Sequence, residues 1–153
     1  MYIAPGIHRD EWLKLELDDS ESLDWIRAIG IFTVRIKSRY LEPVDLLIEA
    51  DESRSPPERR YGFTIMAIDS LLIETLQSFR EGLTDTKKKS KEMFKKYLTE
   101  RPGFQDHFNE KQADRIFYDF RCGILHQAEI MGPSLLWSVG LLRGQKADGT
   151  PYI

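Results

Sequence analysis

Residues 109–131 read NEKQADRIFYDFRCGILHQAEIM, and the spacing of their apolar side chains leaves one regular solution. Ala113, Ile116, Phe117, Phe120 and Ile124, continued by Gln127, recur every three or four positions. That is the period of an α-helix with one buried stripe. Asn109 stands where the helix needs a cap, and Gln112, three residues on, completes a capping box. Gly132-Pro133 is a stop signal. A helix patterned this strongly must bury its stripe against other apolar faces. The expected fold is therefore all-α, a bundle of four to five helices.

The rest of the chain supplies the partners. A helix is expected from near Ser20, capped by Asp18, Asp19 or Ser20, with Leu23, Ile26, Ile29, Phe32 or Thr33, Ile36 and Tyr40 as its stripe. Pro43 should end or kink it. Val44 to Ala50 reads as a shorter helical piece, and ADESRSPPERR as a loop. Pro56 or Pro57 suits the first turn of a helix running to about Phe79, with Gly82 as its stop. Its stripe is Ile65, Ile68, Leu72, Leu76 and Phe79. Lys87 to Leu98 is a short basic amphipathic helix with Met93, Phe94, Tyr97 and Leu98 on its apolar side. The expected organisation is an irregular or strand-like arm over 1–19, a bundle over 20–131 and a tail over 132–153. The tail contains LLWSV and the Asp-Gly turn signal of KADGTPYI, which predict a small C-terminal β-hairpin.

Bulk properties narrow the function classes. At 153 residues the chain suits one domain. No apolar run reaches the roughly 20 residues of a membrane helix. The start, MYIAPGIHRDEW, has neither a basic segment nor an apolar signal core. Together with a single cysteine, this points to a cytoplasmic protein with no membrane partner. The net charge of −3 means that nucleic-acid contact requires a local basic patch. KKKSKEMFKK is the strongest such patch; a solvated face of a surface helix explains it more simply, and the alternative makes Lys87, Lys88, Lys89 and Lys91 RNA-backbone contacts.

Arg121 and His126 are the candidate chemistry. An arginine offers a permanently charged fork of donors that fits a phosphate. A histidine exchanges protons near neutrality. Together they could cleave a phosphodiester without a metal or other cofactor; the structural alternative is that Arg121 pairs with an acid on a neighbouring helix and His126 lies on a solvent face near Asp119. Five residues along an ideal α-helix rotate by about 500°, so the two side chains lie about 140° apart. A straight helix cannot aim both at one phosphate. Tyr118, Cys122 and Leu125 lie between them as a second apolar strip. That strip predicts a homodimer interface whose two copies gather one composite site. A bend at Gly123 is the alternative. Asp119, seven residues before His126, is placed to orient it. Asp69 falls within the apolar arc of its helix and needs a partner, with Arg121 or Arg115 the nearest in kind, or else a part in the site. Glu74 reads as a solvated residue of the opposite face. Cys122 and His126 are four apart, but no second ligand pair accompanies them, so no metal site is expected.

An arginine, four residues and a histidine near the end of a bundle's last long helix resemble the signature of HEPN domains. The words FRCGILHQ and AIDSLLIETLQSFREG carry this resemblance, which covers roughly residues 20–131. It implies an all-α, usually dimeric fold and, in many members, metal-independent ribonuclease activity serving as a toxin or in phage defence. Arg121 matches the motif arginine and His126 the motif histidine. Active members commonly carry a polar residue directly after the arginine, and here that position is Cys122. Other members are catalytically inactive interaction or regulatory modules, so an antitoxin or regulatory protein is the alternative partner to RNA.

Overall fold

The computed structural model describes residues 1–134, 136, 144–145 and 151–152, and these are mostly helical. Compactness divides the chain into two units, Met1–Ala50 and Asp51–Ile153.

In the first unit the arm is ordered. Gly6 takes φ +71°, which reverses the chain so that β1 (Tyr2–Ala4) pairs antiparallel with β2 (Ile7–His8). His8 then caps a single turn, α1 (Arg9–Trp12), in a reciprocal box with Glu11. The helix α2 (Leu23–Ile36) starts later than expected. Its cap is Ser22, whose Oγ accepts from Trp25 N at 3.2 Å. Asp19 is occupied instead with the Glu21 N–H. The buried face of α2 is Ala28, Ile31 and Ile36, whereas Leu23, Ile26 and Ile29 are exposed. The expected stripe is thus rotated over most of the helix, with Ile36 the member that is buried as expected.

Pro43 neither ends nor sharply breaks the helical course. Lys37–Leu41 form a π-helical turn in which Glu42 N–H donates to Lys37 O, five residues back. The chain continues as α3 (Glu42–Glu52) with Pro43 in its first turn, where a missing N–H costs little.

The second unit holds the larger core. The expected helix start at Pro56 or Pro57 is a 3₁₀ turn, Pro56–Glu58, followed by extended backbone at Arg59. The cause is Asp51, which takes the N–H groups of Arg60 and Tyr61. Helix α4 therefore begins at Gly62 and runs to Arg80. Gly82, at φ +66°, ends it as expected. Leu83 N donates to Ser78 O and Gly82 N to Phe79 O, the paired bonds of a Schellman stop. Phe79 itself is exposed rather than part of the core. Helix α5 (Ser90–Glu100) starts three residues after Lys87, because Lys88 takes a left-handed φ of +66°. Its expected apolar side holds: Met93, Phe94 and Leu98 are buried.

The last long helix begins with the capping box that the sequence specifies. Asn109 Oδ1 accepts from Lys111 N and Gln112 N, and Gln112 Oε1 accepts from Asn109 N. It is built in three parts: α6 (Glu110–Ile116), a π-helical turn over Phe117–Cys122, and α7 (Gly123–Gln127). It ends four residues before Met131, with Ala128 left-handed at φ +57°. Gln127, expected in the stripe, is exposed. Phe94, Leu98, Ala113 and Phe117 form the core, and the Phe94 and Phe117 rings meet edge to face at 5.5 Å. The C-terminal hairpin is not supported as expected. Gly144–Gln145 and Pro151–Tyr152 pair antiparallel, but LLWSV and the Asp-Gly turn lie outside the described residues apart from Leu136.

Candidate functional site

The site is set by the wide turn in the last helix. Gly123 N–H reaches Tyr118 O, five residues back. A π-helical turn takes more residues per revolution than an α-helical one, so side chains after it are rotated relative to ordinary α spacing. Arg121 lies inside this turn and His126 follows it. Arg121 Nη1 comes within 3.1 Å of His126 Nε2 in one chain. The straight-rod separation of the pair is therefore corrected. The distortion lies just ahead of Gly123, not as a simple bend at it.

Gly123 has a different duty. A Cβ there would stand 2.5 Å from Glu129 O and 3.1 Å from Met131 N. The absent side chain lets the segment after α7 fold back across the helix. Asp119 holds the same return. Its main-chain oxygen accepts from Met131 N, and its carboxylate accepts from Ser134 Oγ. The carboxylate thus binds the returning chain, in place of the expected role of orienting His126.

Arg121 is held from the other side by Glu74 on α4. Nη2 donates to Glu74 Oε2 at 2.9 Å and Nε to the same oxygen at 3.3 Å. Ser90, the first residue of α5, closes the triangle. Its hydroxyl donates to Glu74 Oε2 at 2.5 Å and accepts from Arg121 Nη2 at 2.9 Å. Burial pushes the Glu74 carboxyl upward, but hydrogen bonds from Ser90, Thr86 and Arg121 outweigh it and hold the group below the usual glutamate value. The Glu74 and Arg121 side chains are only 11% and 18% exposed, whereas His126 is exposed. The guanidinium is donor-only, so its contact with His126 is a hydrogen bond when Nε2 carries the lone pair and Nδ1 the proton. One edge of the arginine is thus pinned, and Nη1 meets an accessible base.

Glu74 is the residue that sequence reasoning missed and placed on the solvated side. A signal was present. Helix α4 contains only Asp69, Glu74 and Arg80 as charged residues over 19 positions. Ser70, Glu74, Gln77 and Ser78 form a polar stripe on it, and all four are buried. A solvent face would carry more charge. Asp69, expected to meet Arg121 or Arg115, has no hydrogen-bond or ion-pair partner among the described residues; burial pushes its carboxyl upward.

The expected dimer strip is split. Tyr118 and Leu125 are exposed, but Cys122 packs against the Phe94–Phe117 core. The wide turn swings it inward. Lys91 covers Tyr118, its Nζ 3.1 Å from the hydroxyl and 4.5 Å from the ring centroid, while pairing with Asp114 at 2.7 Å. Lys91 is therefore engaged, unlike Lys87, Lys88 and Lys89, which are exposed. Among the described residues no group of histidine, cysteine and carboxylate side chains is arranged to hold a metal. No helix among them is long and apolar enough to cross a membrane. In comparisons with family models, curated proteins and solved structures, nothing matched this chain.

Proposed function

We propose that this protein is a HEPN-like, metal-independent endoribonuclease in which Arg121 and His126 act on one phosphodiester. The carrying observation is the 3.1 Å contact between Arg121 Nη1 and His126 Nε2, with the far edge of the guanidinium fixed by Glu74. In the reaction, the RNA 2′-oxygen bonds to the adjacent phosphorus and the bond from phosphorus to the 5′-oxygen breaks. The Nε2 lone pair of His126 takes the 2′-hydroxyl proton and returns a proton to the leaving oxygen. Nη1 of Arg121 shifts from the imidazole to the phosphorane oxygens and stabilises their charge. Glu74 and Ser90 are positioning residues: they fix the guanidinium before substrate arrives. A role as a toxin or in phage defence follows from the HEPN reading and belongs to this proposal. So does a homodimer, now resting on exposed Tyr118 and Leu125; with the pair already gathered in one chain, duplication is not needed to assemble it.

A second reading has its own support. Glu74 already neutralises Arg121, as in an ion pair whose purpose is to join two helices. On that reading the protein is a catalytically inactive module that binds a regulatory or antitoxin-like partner. Incubation with RNA in excess chelator separates the two. The nuclease reading expects wild-type cleavage, no cleavage by a folded His126→Ala variant, and no cleavage of DNA, which lacks the 2′-hydroxyl. Equal cleavage by wild type and His126→Ala would remove the assignment.

A further inference from the structure

The six lysines of residues 87–96 separate into two populations. Three are held by acids. Lys91 pairs with Asp114 at 2.7 Å, Lys95 with Glu110 at 2.6 Å, and Lys96 with Glu92 and Glu81 at 3.3 and 3.5 Å. Their charge is already compensated along α5. Lys87, Lys88 and Lys89 are exposed and, among the described residues, have no ion-pair partner. They occupy the turn before α5, which the left-handed Lys88 tightens.

That turn is tied to the candidate site. Lys89 is bonded to Ser90, whose Oγ lies 2.9 Å from Arg121 Nη2. A chain spans at most about 3.6 Å per residue, so even Lys87 has its Cα within about 11 Å of that of Ser90. These exposed lysines therefore lie at the end of α5 that carries Ser90 and the guanidinium, with Asp85, which accepts from Lys87 N, the nearest acid in the sequence.

We propose that Lys87, Lys88 and Lys89 form the backbone-binding track for single-stranded RNA entering the Arg121–His126 site, and that Lys91, Lys95 and Lys96 take no part in it. The inference rests on the ribonuclease reading for its substrate. Phosphates next to the scissile one lie along the lysine turn, whose long side chains follow a flexible strand without reading its bases.

The test measures binding of a short single-stranded 2′-O-methyl RNA, which has no free 2′-hydroxyl, across a salt series. Each phosphate neutralised on a single strand adds about 0.7 to the slope of log affinity against log salt, so substituting Lys87, Lys88 and Lys89 together by Ala should reduce that slope by about 2. Replacing Lys95 and Lys96 by Ala should leave the slope unchanged. Acetylation footprinting of the unaltered protein gives a readout independent of variant folding: RNA should protect Lys87–Lys89 and not Lys95 or Lys96. An unchanged slope with no protection, or no binding at all, overturns the proposal. Protection and a reduced slope without cleavage in chelator would keep the track and remove the nuclease reading. Cleavage that ignores these lysines would do the reverse.

Discussion

Asp51 and Glu74 are both buried carboxylates of the second unit, their side chains 7% and 11% exposed, and they are satisfied in opposite ways. Asp51 is a closed set. It accepts from Arg54 Nη1, Arg60 N and Tyr61 N at 2.9, 3.1 and 2.8 Å, all within ten residues. Arg54 spends its other contacts on Tyr61, lying over the ring and bonding its hydroxyl. Nothing reactive is left over, and the result is a clip that shapes the loop before α4. Glu74 is an open set. Its partners come from 12, 16 and 47 residues away, and Arg121 still turns Nη1 toward exposed His126. A buried charge whose partners all face one another fixes a shape. A buried charge that pins a guanidinium whose other edge meets an exposed histidine holds the two groups of the candidate site together.

The sharpest way to break this contrast is to remove each carboxylate in turn. Glu74→Ala leaves Arg121 buried without its counter-charge and should lower stability by about 3 kcal/mol in a denaturant titration. It should also abolish RNA cleavage under conditions where the variant remains folded. Wild-type cleavage by that folded variant would reduce Glu74 to an ordinary helix tie. Asp51→Ala should have a smaller effect of another kind. The Arg60 and Tyr61 N–H groups lose their acceptor, so the midpoint of thermal unfolding should fall and tryptic cleavage near Arg59 and Arg60 should quicken. RNA cleavage per folded molecule should stay the same; a selective loss of cleavage would dissolve the distinction.

The acid limb of stability offers the finest comparison. Both carboxyls sit below their usual values. Burial opposes this in each case, and hydrogen bonds outweigh it: from Tyr61, Arg60 and Arg54 for Asp51, and from Ser90, Thr86 and Arg121 for Glu74. A group with a depressed folded-state pKa contributes stability above its unfolded value and loses it as pH falls through the folded one. Wild-type stability should therefore decline from the ordinary carboxylate range downward. Glu74→Gln should be less stable at neutral pH and shallower in its decline, with Asp51 still titrating. Parallel curves for the two proteins would show that Glu74 is not held as the geometry indicates.

The helices were readable where their signals are local. The Asn109–Gln112 box, the Gly82 stop and the Met93, Phe94 and Leu98 face of α5 each depend on residues a few positions apart. Each is observed. The site was half readable. Arg121 and His126 stand out by chemical type, but the α-helical period placed them on different sides. The period failed because a π-helical turn intervenes, and nothing in FYDFRC announces one. The contacts of Asp119 were unreadable for a different reason: its partner Ser134 belongs to a returning segment that packs closely over Gly123, which has no side chain.

The amino-acid order alone settled that this chain would be mostly helical and where several of its helices start and stop, since caps, stop glycines and apolar spacing act over one or two turns. Tertiary packing decided which face of α4 turned inward. That helix carries apolar residues around most of its circumference, so its sparse polar stripe was a weak signal and its neighbours chose the Ser70–Glu74–Gln77 side. The same choice brought a carboxylate to Arg121 across 47 residues. Contacts at that separation form when helices meet, and no short-range pattern in a sequence encodes them.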